Sequence, residues 1–433
     1  MSLDTFVLQA VIDECAALAG AKIVAIDHYG PLTIGLTLRT PQARRLLCLS
    51  VQPGYARLYI PSTPPEDGGA SALLNVMRDH LLASTLNTIE TVPNERIAIL
   101  RITGRSPLGT RPYRLIAELI DRRTSLILVA EPDMTVLETL RRVRAGDREL
   151  FSGDRYQPPE PQKRIPLADL SPDLLDKAGQ MQNPDDLRRF LLATFAGFSP
   201  ALVREVVAYT GTDTTLTALA PQERRERLRK SLSDTVDRIE NRRWTPCIGR
   251  DTSGLPVVLS ALPIGSIPPE RVKRFDTMSA GVERFYTERH EEERRIHRET
   301  QIRRLLDTET KRLEKLAENL RQDAAQTQRE TEFRKYGELL MIHLADLERG
   351  LGETQVPDVY APDRPLLFIP LDPALGPAEN AARYFKWARK ARDGRAIVEK
   401  RLRETQDRLE RMRQTQSELA TPVPDAVERA FHL

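Results

Sequence analysis

Two long charged stretches in the C-terminal half constrain this chain more than any other feature. From Asp276 to about Glu332 it is dominated by Arg, Glu, Gln and Lys, yet Ile302, Leu306, Leu313, Leu316 and Leu320 recur at steps of three, four and seven. Downstream, Val398, Leu402, Thr405, Leu409, Met412, Gln416 and Leu419 alternate steps of four and three. A polar helix with one narrow apolar stripe cannot bury that stripe alone, so each stretch needs a partner. The ~60 residues between them carry their own apolar content, which predicts an antiparallel coiled-coil hairpin with a small folded tip. At ~1.5 Å per residue, an arm of ~50 residues is roughly 75 Å long. A parallel homodimeric coiled coil is the competing arrangement, and the proline-containing interruption argues against it.

The tip contains LDPALGPAENAARYFKWARKA, residues 371–391. Asp372-Pro373 and Gly376-Pro377 read as turns that reverse the chain. Glu379 and Asn380 then sit in the first turn of a new helix, where negative charge is favourable. Tyr384, Phe385 and Trp387 are expected to close a small core against FRKYGELLMIHL, since aromatics dominate small cores. Arg383, Lys386, Arg389 and Lys390 form a basic rim, a candidate contact for RNA phosphate or an acidic protein patch.

The N-terminal part differs. Phe6, Val7, Val11, Ile12, Cys15 and Leu18 form a helical stripe ended by Gly20. The runs KIVAIDHYG, LTIGLTLRT, RLLCLSVQ and ARLYIPS predict an antiparallel meander, followed by a helix in SALLNVMRDHLLAST. Further strands fit TIETVPNERIAILRITG, YRLIAELID and SLILVAEPD. The fold class is therefore α+β, with helices packed on an antiparallel sheet. A proline-rich linker, DRYQPPEPQKRIP, leads into FLLATFAGFSPALVREVV, where Gly-Phe-Ser-Pro joins two apolar helices as a helix-hairpin-helix would. Such a turn can present amides to phosphate, although a plain helix corner has the same signature. The expected domains are 1–165 (mixed α/β with antiparallel sheet), 166–240 (helix-hairpin-helix), 241–275 (a β excursion returning to the first domain), 276–332 (outgoing arm), 333–390 (tip), 391–420 (returning arm) and 421–433 (tail).

Net charge is only +3, so any nucleic-acid surface must be local. Three scattered cysteines and six histidines give no zinc spacing, and no phosphate loop, dinucleotide fingerprint or nucleophile elbow occurs. No cofactor is expected. An odd cysteine count, no signal peptide and no apolar run of about 20 residues point to the cytoplasm and away from a membrane.

Read in order, MSLDTFVLQAV, VQPGYARLYI, LLNVMRDHL, VPNERIAILRI, RLIAELIDRRTSLILV, RELFSGDRYQPP, VERFYTER, FRKYGELL and the tip segment resemble the NFACT family over nearly the whole chain. The resemblance implies a factor of ribosome-associated quality control. Such a factor binds the obstructed large ribosomal subunit through ribosomal RNA and stalk-base proteins. It recruits tRNA, alanine tRNA being the expected species, and promotes C-terminal alanine tailing of stalled chains. It is not an enzyme in its own right, because the ribosome performs the peptide-bond chemistry. The family's C-terminal NFACT-R domain is expected to be missing, because the sequence stops at Leu433.

The family's aspartate near the start corresponds to Asp4, and its Asp-Arg pair to Glu95-Arg96, one methylene longer. An arginine can grip phosphate or a base edge, and a carboxylate can accept from a base amino group. A helix cap and a surface turn explain the same residues equally simply. Arg78 and His80 match an Arg-x-His helix, with a half-buried histidine as the plainer reading. Arg122 and Arg123 near a strand end are further candidates for tRNA phosphate, or a solvated turn. The first domain also resembles formamidopyrimidine DNA glycosylases, but Ser2 replaces the nucleophilic proline and no cysteine quartet exists, so glycosylase activity is not expected. Two other classes remain open: a fibronectin-binding surface adhesin, after an older family name, and a coiled-coil scaffold without an RNA role.

Overall fold

The structure, a computed structural model, describes residues 3–66, 68–106, 109–120, 123–145, 148–181, 183–210, 220–327 and 329–420. The expected tail 421–433 and the candidate Arg122 lie outside them. The chain divides into two compact units, Met1–Glu292 and Glu293–Leu433.

In the first unit, α1 (Thr5–Cys15) precedes a meander of β1 (Lys22–His28), β2 (Thr33–Arg39), β3 (Arg44–Ser50) and β4 (Arg57–Tyr59). Then follow α2 (Ala72–Leu81), β5 (Thr85–Thr91), β6 (Ile97–Ser106), β7 (Gly109–Glu118), β8 (Ser125–Ala130) and β9 (Thr135–Thr139). These strands form one nine-stranded antiparallel sheet in the order β4-β3-β2-β1-β5-β6-β7-β8-β9. Strand alternation sends alternate residues to opposite faces. Leu126, Leu128 and Ala130 of β8 therefore enter a large core with α1 and α2, whereas Ile127 and Val129 enter a second core on the other face. Both faces are covered, which is why SLILVA reads as an unbroken apolar run and every residue in it is buried. A short hairpin, β10 (Val143–Ala145) and β11 (Arg148–Leu150), adds Leu150 to that second core.

Four helices follow: α3 (Pro172–Gly179), α4 (Pro184–Thr194), α5 (Pro200–Thr210) and α6 (Pro221–Glu240). Their cluster centres on Leu187, Leu191, Phe195, Val206 and Leu232, and Phe6 of α1 inserts into it, joining helices and sheet. Residues 241–275 contain β12 (Cys247–Arg250), β13 (Pro256–Ser260) and β14 (Val272–Arg274), a separate three-stranded sheet rather than added strands of the large one. Ile248 and Leu259 nonetheless pack into the large core. The helix α7 (Met278–Thr327) begins in this unit, where Glu14 accepts from its first free amides, including Ser279 N at 3.0 Å.

In the second unit α7 continues and pairs antiparallel with α9 (Pro377–Ala420): Asp307 accepts from Gln416 at 2.8 Å and Glu314 from Arg413 at 2.8 Å. The buried stripe of α7 is Ile302, Leu306, Thr310, Leu313, Ala317 and Leu320. The expected Leu316 is instead 39% exposed, while Ala317 is 3% exposed. Both residues satisfy a three-and-four spacing between Leu313 and Leu320, and the small alanine lets the two helices approach. On α9, Thr405 and Leu409 are buried and Val398, Leu402, Met412 and Gln416 half-buried, as their periodicity predicts; the side chain of Leu419 lies outside the described residues.

Between these helices lie α8 (Glu330–Ile342) and the hairpin of β15 (Glu353–Pro357) and β16 (Leu366–Pro370). Leu339, Leu340, Val356, Ile369, Ala381 and Tyr384 form their core. Of the three aromatics expected in that core only Tyr384 is buried, Phe385 and Trp387 being 39% and 38% exposed, and a Cβ on Gly337 would lie 3.1 Å from the Phe385 ring and displace it by a few tenths of an ångström. Helix α9 is continuous across residue 390, running from Pro377 to Ala420 with no proline after its first residue and carrying Gly394 in its interior.

Candidate RNA-binding cavity

In the first unit the start of α1, the β5–β6 turn, the proline-rich linker, the α4–α5 turn with α5, β13 and the start of α7 line a cavity of about 440 Å3. Asp4 caps α1, accepting from Phe6 N at 2.9 Å. Its carboxylate also accepts from the Ser199 hydroxyl, and Ser199 Oγ in turn accepts from Leu202 N at 3.1 Å as the cap of α5. One serine thus fastens two helix starts together. Gly197, at φ +77°, makes this possible, because a Cβ there would lie 3.2 Å from the Phe6 ring and 3.4 Å from Asn94 Oδ1. Burial raises the Asp4 carboxyl above its ordinary value, opposed by Ser199, by the Phe6 and Val7 amides and by Arg96.

That shift carries a sign. A carboxyl that binds its proton more tightly folded than unfolded contributes stability below its ordinary value of 3.8, and the contribution is lost as pH rises through the higher folded value. Asp4→Asn keeps a capping oxygen and cannot ionise. As pH rises above 3.8, its stability should therefore fall less than that of the parent. Urea midpoints across that rise provide the test, and parallel curves for the two proteins would sink the assignment.

The sequence candidates separate clearly. Asp4 and Arg96 line the cavity together. Glu95 stands next to it, with Oε1 accepting from Gln162 N at 3.0 Å and Oε2 from Gln162 Nε2 at 3.2 Å. Arg78 lies elsewhere: its Nε donates to Ile26 O at 2.8 Å and its Nη2 pairs with Asp27 at 3.0 Å, tying α2 to β1. His80 is half-buried with Nδ1 3.1 Å from the Tyr113 hydroxyl, in keeping with its plainer reading. Arg123 is exposed and does not line the cavity.

Most of the lining residues were not singled out from sequence, three polar ones among them. Ser199 stands in the quoted turn, Arg164 in the linker and Arg204 on α5. Arg164 and Arg204 are exposed and form no ion pair with a described residue. Phe198, Phe285 and Tyr286 supply apolar wall. The lining combines exposed and half-buried arginines with a half-buried carboxylate acceptor, which suits phosphate oxygens and base amino groups. Among the described residues, no group of three His, Cys, Asp or Glu could hold a metal ion.

In the tip, the basic rim is only partly available. Arg383 pairs with Asp372 at 2.7 Å and stacks over Trp387 at 4.6 Å, so it belongs to the tip's own packing rather than to a free rim. Lys386, Arg389 and Lys390 are exposed and make no ion pair with a described residue.

Known proteins resemble this chain at both sequence and fold level. A Bacillus subtilis (strain 168) protein named Rqc2 homolog RqcH is 26% identical over 413 residues, covering 94% of this chain and 70% of its own. A protein of that name from Streptococcus pneumoniae serotype 2 (strain D39 / NCTC 7466) is 23% identical over 400 residues, covering 91% and 67%. Among solved structures, the fibrinogen binding protein from Staphylococcus aureus aligns with a TM-score of 0.55 at 20% identity, over 66% of this chain and 99% of its own. The N-terminal part of the fibronectin/fibrinogen-binding protein from Streptococcus suis gives 0.52 at 19%, over 66% and 99%. Both show the fold. The profile of the NFACT N-terminal and middle domains matches residues 4–429, and the chain belongs to the NFACT family.

Proposed function

We propose that this protein acts in ribosome-associated quality control, binding obstructed large ribosomal subunits and recruiting tRNA for alanine tailing of stalled chains. Family membership and the relatives named RqcH support the general role. The observation that carries the tRNA part is the convergence of Asp4, Arg96, Arg164 and Arg204 on one cavity. The protein holds and orients tRNA, while the ribosome supplies the peptide-bond chemistry, so it is no enzyme by itself. Lys386, Arg389 and Lys390 are exposed tip cations available for ribosomal RNA or a stalk-base protein. Such work belongs to the cytoplasm, and among the described residues no helix is long and apolar enough to cross a membrane.

The two contacts should separate. Arg96→Ala should weaken tRNA binding by about 10- to 100-fold, the cost of one good guanidinium contact, while large-subunit co-sedimentation persists. Reversing charge at Lys386, Arg389 and Lys390 should do the opposite. If either folded variant loses both activities together, this division of labour is wrong. Binding to immobilised fibronectin without any tRNA binding would replace the reading with the adhesin one.

A further inference from the structure

Glu95 and Arg96 are sequence neighbours, but they face different partners. Both Glu95 oxygens are engaged by Gln162, through its backbone amide at 3.0 Å and its side-chain amide at 3.2 Å. Gln162 belongs to the proline-rich linker, and two residues later Arg164 lines the cavity with no ion pair to a described residue. On the other side of Arg164 the linker is anchored again: Ile165 N donates to Thr194 O at 2.8 Å, and Ala196 N donates to Ile165 O at 2.9 Å. Arg164 is therefore suspended between two fixed points, one on the β5–β6 turn and one at the end of α4. Arg204 projects into the same cavity from α5, a rigid element.

We propose that Arg164 and Arg204 form a two-point grip for the phosphodiester backbone of RNA, and that Glu95 is a positioning residue that holds Arg164 in that grip through Gln162. This rests on the tRNA reading above. It gives the Glu-Arg pair two roles: Arg96 meets the ligand, and Glu95 acts on the ligand only through the linker. A proline-rich segment has few backbone donors and little intrinsic structure to fix an arginine. A carboxylate receiving two hydrogen bonds from one residue supplies the missing restraint.

Salt dependence isolates this effect, because each lost phosphate contact lowers the steepness of affinity against ionic strength, whereas a lost base contact does not. The experiment measures binding of bulk deacylated tRNA to the full chain across a potassium chloride series. Arg164→Gln and Arg204→Gln should each reduce the slope by about 0.7 to 0.9. Glu95→Ala should reproduce the Arg164→Gln change, and the double variant should change no further. Glu95→Ala combined with Arg204→Gln should instead give the sum. Glu95→Gln keeps an oxygen acceptor for the Gln162 backbone amide and should retain the parent affinity as well as the slope, whereas losing a direct carboxylate–base contact would weaken binding at an unchanged slope. Additive slopes for Glu95→Ala and Arg164→Gln, or weaker binding by Glu95→Ala at an unchanged slope, overturn the linkage while leaving the tRNA reading standing. A parent chain that binds no tRNA overturns both.

Discussion

Glu118→Ala should cost the first unit about 3–5 kcal/mol, the penalty typical of removing one partner from a buried ion pair. Glu118 ends β7 and is 1% exposed. Arg148 of β11 grips it with both terminal nitrogens, at 2.9 and 2.6 Å, and the Tyr156 hydroxyl donates to it at 3.0 Å. Burial and the adjacent carboxylate push the Tyr156 hydroxyl well above its ordinary range, so it stays a donor. Arg148 Nε donates to Gln157 O at 2.8 Å, extending the network into the linker. Without Glu118 the guanidinium keeps its burial and loses its counter-charge. Urea unfolding measures the loss, and amide exchange in 148–157 should accelerate with it. A loss under about 1 kcal/mol would mean that water replaces the carboxylate and the pair is not truly buried. Combining the change with Arg148→Met should recover part of the loss, since removing both charges leaves nothing unpaired.

Tyr384→Ala should unfold the tip while the first unit melts unchanged. Large-to-small aromatic changes in cores cost about 3–5 kcal/mol, and a core this small has little reserve. Tyr384 is buried among Leu339, Ile369 and Ala381, donates to Pro370 O at 2.6 Å, and meets Trp387 and Tyr336 edge-on. Limited proteolysis should then cut in 343–376, and co-sedimentation with large subunits should fall if the tip is the ribosome contact. A tip that stays protease-resistant in the variant would assign its stability to the Asn380 and Asp372 turn network instead. In that network Asn380 accepts from Asp372 N at 2.8 Å and donates back to Asp372 O at 3.1 Å.

Much of the fold was legible because its signals are local. The β-rich runs LTIGLTLRT and RLLCLSVQ and the breaks around them predict neighbouring antiparallel strands, and β2 and β3 pair over Thr33–Arg39 in full register. Asp4 reads as a cap in the sequence and is one. The buried stripe of α7 was legible as a period but not as a phase, since only the neighbouring helix chooses Ala317 over Leu316. Arg383 reads as rim because its neighbours are basic, yet Asp372, eleven residues earlier, claims it once the turn closes.

The sequence by itself determined the α+β class, the antiparallel sheet, the two long helices and the proline-bounded tip, because hydrophobic period, caps and breakers act within a few residues. Only the tertiary structure decided the cavity. Asp4, Arg96, Gln162 and Ser199 carry no shared local signal. They meet because Phe6 locks α1 into the helical cluster and Gly197 lets the α4–α5 turn close against it. Contacts across such separations depend on packing, and packing is decided by the whole fold at once.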